Sequence, residues 1–229
     1  MSYKTICIVP ARKGSKSIKH KNLTKIKGKE LIKYTLDICK YFKNDFFSVI
    51  STDSKKILSI SKKYKIHNNG LRPAHLSGDK ALTYDVLKYE ILLTEKKFGK
   101  KYDYILLLQP TCPFRSREKI TKALRIIKNN KRYDSVLSIS DVGANHPERM
   151  KIIKNNKLIN YTKKKYENLK PRQSLQKVYI RSGSIYLIKR KSFFKYKSFV
   201  GQNCYGLILT AKESINIDDK KDLIIANYT

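Results

Sequence analysis

The chain has 229 residues, enough for one domain with a sizeable core, and 51 Lys and Arg against 18 Asp and Glu give a formal net charge of +33. No apolar run approaches the ~20 residues needed to span a bilayer, and the N-terminus lacks the long apolar stretch of a signal peptide, so a soluble cytoplasmic protein is expected. Cys7, Cys39, Cys112 and Cys204 are widely separated and lack CxxC spacing, which argues against a zinc centre or a disulfide framework and for reduced thiols.

Taken in order, the chain opens with an apolar strand over residues 5–9 that runs directly into a loop rich in cations and small residues. Gly14 and Ser15 let backbone approach an anion, and Arg12, Lys16 and Lys21 supply positive charge with no acidic residue in the loop to cancel it. This arrangement suits a triphosphate, although its spacing departs from GxxxxGK[ST]. An ordinary strand-to-helix connection with solvated lysines is the alternative for this loop taken alone.

Helical periodicity follows at residues 30–41, 54–64, 82–98 and 118–128, alternating with strand-like runs at 46–51, 104–109 and 135–140. Ile105-Leu106-Leu107-Leu108 is continuously apolar, as expected for a strand buried on both faces. The fold class read from this alternation is α/β, a mostly parallel sheet with helices on both faces and ligands beyond the strand carboxyl ends.

Residues 141–179 are less regular. A turn at Asn155-Asn156-Lys157 separates strand-like runs at 150–153 and 158–161, which reads as a hairpin-bearing excursion that either covers the site or pairs with a second copy. Strand character returns over 178–188, and a short helix over 222–228 closes the chain. No repeat, linker or second domain interrupts residues 1–229, so a single domain is expected.

Several motifs then occur in a fixed order: the N-terminal loop, Ser51-Thr52-Asp53, Leu71-Arg72-Pro73-Ala74-His75-Leu76-Ser77-Gly78-Asp79, Leu107-Leu108-Gln109-Pro110-Thr111-Cys112-Pro113-Phe114-Arg115, Pro171-Arg172-Gln173, Gly183-Ser184-Ile185-Tyr186 and Ile215-Asn216-Ile217-Asp218. With them the chain resembles the CMP-sialic acid synthetases, the acylneuraminate cytidylyltransferases, over about residues 6–226. The resemblance implies a nucleotide-diphospho-sugar transferase-like fold, usually dimeric. It also implies a reaction that couples CTP to an acidic nine-carbon sugar and releases pyrophosphate with Mg²⁺. Legionaminic acid or another modified nonulosonate competes with sialic acid as acceptor. Alternatives are another acidic sugar such as Kdo or pseudaminic acid or, in a different class, a basic nucleic-acid-binding protein. The last rests on charge alone, and the lysines are spread along the whole chain like a solvated surface.

By that resemblance Arg12, Lys21 and Asp218 are the catalytic set. Arg12, Ser15, Lys16, Lys21, Asn22, Arg72, Ser77 and Gly78 hold the nucleotide, while Gln109, Arg149, Arg172, Ser182 and Tyr186 hold the sugar. The metal set is Asp218 with Asn216, where the family carries two aspartates. Ser182 stands in place of an asparagine and Arg149 in place of a lysine from the neighbouring subunit, both pointing to a changed acceptor. Asp219 and Asp222 read as acids of a helix N-terminus. His20, His67, His75 and His146 lack ligand spacing and read as surface or loop residues. No side chain stands out as a general base.

Overall fold

The computed structural model describes residues 3–162, 166 and 168–229, and of Arg172 the backbone alone. Its elements in chain order are β1 (Thr5–Pro10), β2 (Lys25–Ile26), β3 (Lys29–Glu30), α1 (Leu31–Tyr41), β4 (Phe47–Ser51), α2 (Lys55–Lys63), β5 (His67–Asn68) and α3 (Thr83–Phe98). They continue with β6 (Tyr104–Leu107), α4 (Arg117–Asn129), β7 (Ser135–Asp141), β8 (Lys151–Lys154), β9 (Lys157–Asn160), β10 (Tyr179–Lys189), α5 (Arg190–Tyr196), β11 (Cys204–Ile208) and α6 (Lys220–Tyr228).

Among the described residues the main sheet has seven strands in the order β11-β7-β10-β6-β1-β4-β5. Every neighbouring pair is parallel except the two made by β10, which runs antiparallel to β6 and to β7. The expected mostly parallel sheet is present. The apolar runs leave β10's reversed direction open, because a strand buried on both faces has the same side-chain pattern in either sense.

The core lies on both sides of this sheet. Cys7 and Val9 of β1, Leu106 of β6 and Leu187 of β10 face α1, α2 and α4, while Ile6 and Ile8, Ile105 and Leu107, and Ile188 face α3 and α5. Period-two alternation thus assigns each strand residue to one layer, and both layers are apolar. Ser54 and Ser116 cap α2 and α4, accepting from the amides of Ile57 and Lys119 at 3.4 and 3.2 Å. Asp219 and Asp222 form a reciprocal capping box at the start of α6, as their place at a helix N-terminus predicts.

Three features differ from the reading of the sequence. The helix α5 and the edge strand β11 were not expected, being a short basic segment and a strand interrupted by Gly206. His146 lies in a loop but is buried, accepting from the Glu148 amide at 3.1 Å with its other ring nitrogen 2.9 Å from the Gln176 carbonyl. The hairpin of the excursion is formed by β8 and β9, with Ile153 opposite Leu158.

Candidate active site

At the carboxyl ends of β1, β4 and β6 the chain encloses a cleft of about 290 Å³. One wall comes from the loop after β1, through Arg12, Gly14, Ser15, Lys21 and Asn22. A second comes from the segment after β5, through Arg72, Gly78 and Asp79, and the floor is Gln109, Pro110 and Thr111 after β6. Parallel strands all end on the same side, so the connections that follow them meet there.

Two bonds brace the β1 loop, one within it and one to the segment after β4. Asn22 Nδ2 donates to the Arg12 carbonyl at 2.9 Å, and the Lys13 amide donates to Asp53 Oδ1 at 2.6 Å. The expectation of a cationic loop without acids is corrected by the tertiary fold. Asp79, 67 residues from Arg12, places Oδ1 2.5 Å from Arg12 Nη1 and Oδ2 3.4 Å from Lys16 Nζ. Asp218, 197 residues from Lys21, accepts from Lys21 Nζ at 3.1 Å through both its backbone carbonyl and Oδ1. The side chain of Lys21 is only 12% exposed, whereas that of Lys16 is 78% exposed, so Lys21 is the fixed cation of the pair.

Arg72 lines the cleft, yet much of its guanidinium is engaged in bracing. Nε donates to Ser51 Oγ at 2.9 Å and Nη2 to the Ser51 carbonyl at 2.5 Å, and burial pulls its pKa below the usual arginine range. Ser77 turns its hydroxyl back onto the Pro73 carbonyl at 3.0 Å and does not line the cleft.

Behind Gln109 lies a bulge in β10, where the register to β7 shifts between Arg181 and Tyr186. Gly183 occupies it with φ +73°, and a Cβ there would stand 2.9 Å from Gln109 Oε1 and 3.7 Å from the Tyr186 hydroxyl. Ser182 is buried in the bulge and bonded to Ser138 Oγ at 2.7 Å, so its hydroxyl serves the backbone turn. Tyr186 is also buried, with its ring 5.5 Å from Phe199, and burial raises its pKa.

Arg115 was given no role from sequence and proves central to this floor. It is fully buried and donates to the Gln109 carbonyl at 2.6 Å, the Ser184 carbonyl at 2.9 Å and Thr35 Oγ1 at 2.9 Å. Arg115 closes the motif that begins at Leu107, but its bracing role is not legible there, because two of its three acceptors, Ser184 and Thr35, lie 69 and 80 residues away.

Asn216 and Asp218 meet beside this floor. The buried Ile217 between them anchors the segment, its amide donating to the Thr111 carbonyl at 2.8 Å. Asn216 Nδ2 donates to Asp218 Oδ2, and Asn216 Oδ1 accepts from the Cys112 thiol at 3.4 Å. Burial pushes that thiol up to about 11.

Arg149 lies outside this cleft, in a turn over Pro147–Arg149, and donates to the Lys170 carbonyl at 3.2 Å. Arg172 begins a turn over Arg172–Ser174, and its side chain lies outside the described residues.

A cationic cleft at the strand ends, with an amide-bearing floor, is the arrangement of a nucleotide-handling α/β enzyme. A family model described as cytidylyltransferase matches residues 6–219. The chain belongs to the cytidylyltransferase family. Post-translational flagellin modification protein B of Campylobacter coli is 30% identical over 97% of this chain and 93% of its own length. The CMP-N,N'-diacetyllegionaminic acid synthase of Legionella pneumophila is 31% identical over 95% of this chain and 92% of its own. An N-acylneuraminate cytidylyltransferase of Escherichia coli is 27% identical, and this cytidylyltransferase chain spans 52% of that relative's length.

Among solved structures, a CMP:2-keto-3-deoxy-manno-octonic acid synthetase complexed with CTP superposes with a TM-score of 0.65 at 15% identity, covering 99% of this chain and 100% of that one. A 4-diphosphocytidyl-2C-methyl-D-erythritol synthase from Anaerococcus prevotii gives 0.63 at 16% identity, covering 99% and 97%. Both likenesses concern the fold. Among the described residues no helix of this cytidylyltransferase is long and apolar enough to cross a membrane.

Proposed function

We propose that this protein transfers CMP from CTP to the anomeric hydroxyl of an acidic nonulosonic sugar of the sialic or legionaminic acid type, releasing pyrophosphate in the cytoplasm. The observation that carries the reading is the convergence of Arg12, Lys21, Asn22 and Gln109 on one cleft in a chain of the cytidylyltransferase family. Relatives named for diacetyllegionaminate and for acylneuraminate match nearly the whole chain at 27 to 31% identity, and one named for pseudaminic acid matches at 25%.

Attack of a sugar hydroxyl on the α-phosphate requires charge neutralisation on the leaving pyrophosphate and in-line placement of the reactants. Arg12 and Lys16 offer solvent-accessible positive charge, and Lys21, held by Asp218, offers a preorganised one. Gln109 and Tyr186 border the place of the acceptor, with Arg172 and Arg149 as cations for its carboxylate.

Among the described residues no group of three His, Cys, Asp or Glu side chains could hold a metal ion. Asp218 and Asn216 bring a carboxylate and an amide to one place beside the floor, and these hard oxygen donors would hold a Mg²⁺ delivered with the triphosphate. Bound there, it would add neutralisation of phosphate charge.

A homodimer belongs to the same reading. The hairpin β8–β9 exposes Ile153 at 75% and Leu158 at 66%, an apolar surface suited to a second copy that would bring Arg149 toward the partner's cleft. The deciding experiment measures pyrophosphate release with CTP, ATP and GTP across N-acetylneuraminate, legionaminate, pseudaminate and Kdo, with products identified by mass spectrometry. CTP-dependent formation of a CMP-nonulosonate is expected. Equal rates with all three nucleotides, or conversion of Kdo alone, would overturn the reading.

A further inference from the structure

We infer that Asp79 is a specificity-determining residue of the triphosphate site, an internal carboxylate that competes with phosphate oxygens for Arg12 and Lys16. The inference rests on the reading of the cleft as a CTP site and concerns how strongly that site retains polyphosphates.

Asp79 reaches the cleft from the wall opposite the β1 loop and engages two cations at once. Oδ1 lies 2.5 Å from Arg12 Nη1, and Oδ2 lies 3.4 Å from Lys16 Nζ. One carboxylate bridging two cations has the charge and spacing of a phosphate group on the same pair. The side chains of Asp79 and Lys16 are 45% and 78% exposed, so this bridge is solvent-screened and exchangeable. Lys21 differs. Its side chain is 12% exposed and accepted by both the carbonyl and the carboxylate of Asp218, which makes it a standing part of the site.

The bridge leaves the rest of the Arg12 fork free, because Asp79 uses Nη1. A polyphosphate can therefore meet Arg12 before Asp79 has left, and it wins by presenting several charged oxygens where Asp79 presents two. The bond from Arg12, reinforced by Lys16, holds the Asp79 carboxyl below the usual carboxylate range. The same competition acts on leaving pyrophosphate. As the product loosens, the carboxylate reclaims both cations and opposes rebinding.

Asp79→Asn tests this, since the amide keeps the size of the side chain and removes its charge. Calorimetric titration of the wild type and the variant with CTP, inorganic pyrophosphate and cytidine is the measurement. Asp79→Asn is expected to bind pyrophosphate and CTP ~3–10-fold more tightly, a modest change as befits a screened ion pair, and to leave cytidine binding unchanged. Product inhibition by pyrophosphate should strengthen by the same factor. Asp79→Glu, which restores the charge, should return both values toward the wild type. Unchanged or weaker pyrophosphate binding by Asp79→Asn would overturn the inference, as would a matching change for cytidine. Wild-type turnover of CTP combined with either result removes only the role of Asp79. A wild type that binds no CTP removes this inference together with the reading of the cleft.

Discussion

The side-chain oxygen of Gln109 and the backbone of Gly183 are so close that a Cβ on Gly183 would stand 2.9 Å from Gln109 Oε1. The β10 bulge thereby sets how far Gln109 projects into the cleft. Gly183 also has φ +73°, a conformation that costs an L-residue about 1–2 kcal/mol. Gly183→Ala should lower stability by about that amount in urea denaturation and raise KM for the sugar more than KM for CTP. Equal effects on both substrates would detach Gln109 from the acceptor.

Lys21 is held by two oxygens of Asp218, and its charge is in place before substrate binds. Lys21→Met should reduce kcat by at least ~10²-fold, the scale of losing one preorganised donor. Arg12→Ala should fall in the same range. Initial-rate kinetics at saturating CTP decide it, and full activity in either variant would make the loop structural.

Arg115 satisfies two buried backbone carbonyls and the Thr35 hydroxyl with one guanidinium. Arg115→Met leaves these groups without their donor and should cost about 2 kcal/mol or more. The urea midpoint should drop accordingly. An unchanged midpoint would show that the floor of the cleft does not depend on this residue.

Asp218 anchors Lys21 and is the carboxylate proposed to meet a phosphate-borne cation, so Asp218→Asn should nearly abolish turnover. Asn216→Asp sets a second carboxylate against Asp218 in place of a donated hydrogen bond. Its melting temperature without divalent cation should therefore fall, and Mg²⁺ should raise it more than in the wild type. Half-maximal rate should come at lower Mg²⁺. A variant whose melting ignores Mg²⁺ and whose rate needs as much as the wild type would move the metal to other acids.

The exposed pair Ile153 and Leu158 lies across the β8–β9 hairpin. The double replacement Ile153→Lys and Leu158→Lys should shift the protein from dimer to monomer by light scattering. A wild type that is an active monomer would remove any contribution of a partner's Arg149.

Local patterning made much of this protein legible. Continuous apolar strands alternating with amphipathic helices predict a sheet covered on both faces, and Cys7 and Ile8 of β1 do face opposite layers. A glycine and small residues directly after β1 locate the loop that lines the cleft, and the order of short motifs points to the family that matches residues 6–219. These features depend on neighbours within a few residues. What tertiary structure alone decided is the electrostatics of the cleft. Asp79 and Asp218 reach the loop cations across 67 and 197 residues, so a segment that looks uncompensated in sequence is paired in space. Arg115, Ser182 and Gly183 gained their meaning in the same way, because a hydrogen-bond partner or a steric limit supplied by a distant strand leaves no mark on the residues beside them. Periodicity and turn chemistry act along the chain, whereas charge and contact act through space, and only the folded sheet brings the two descriptions together.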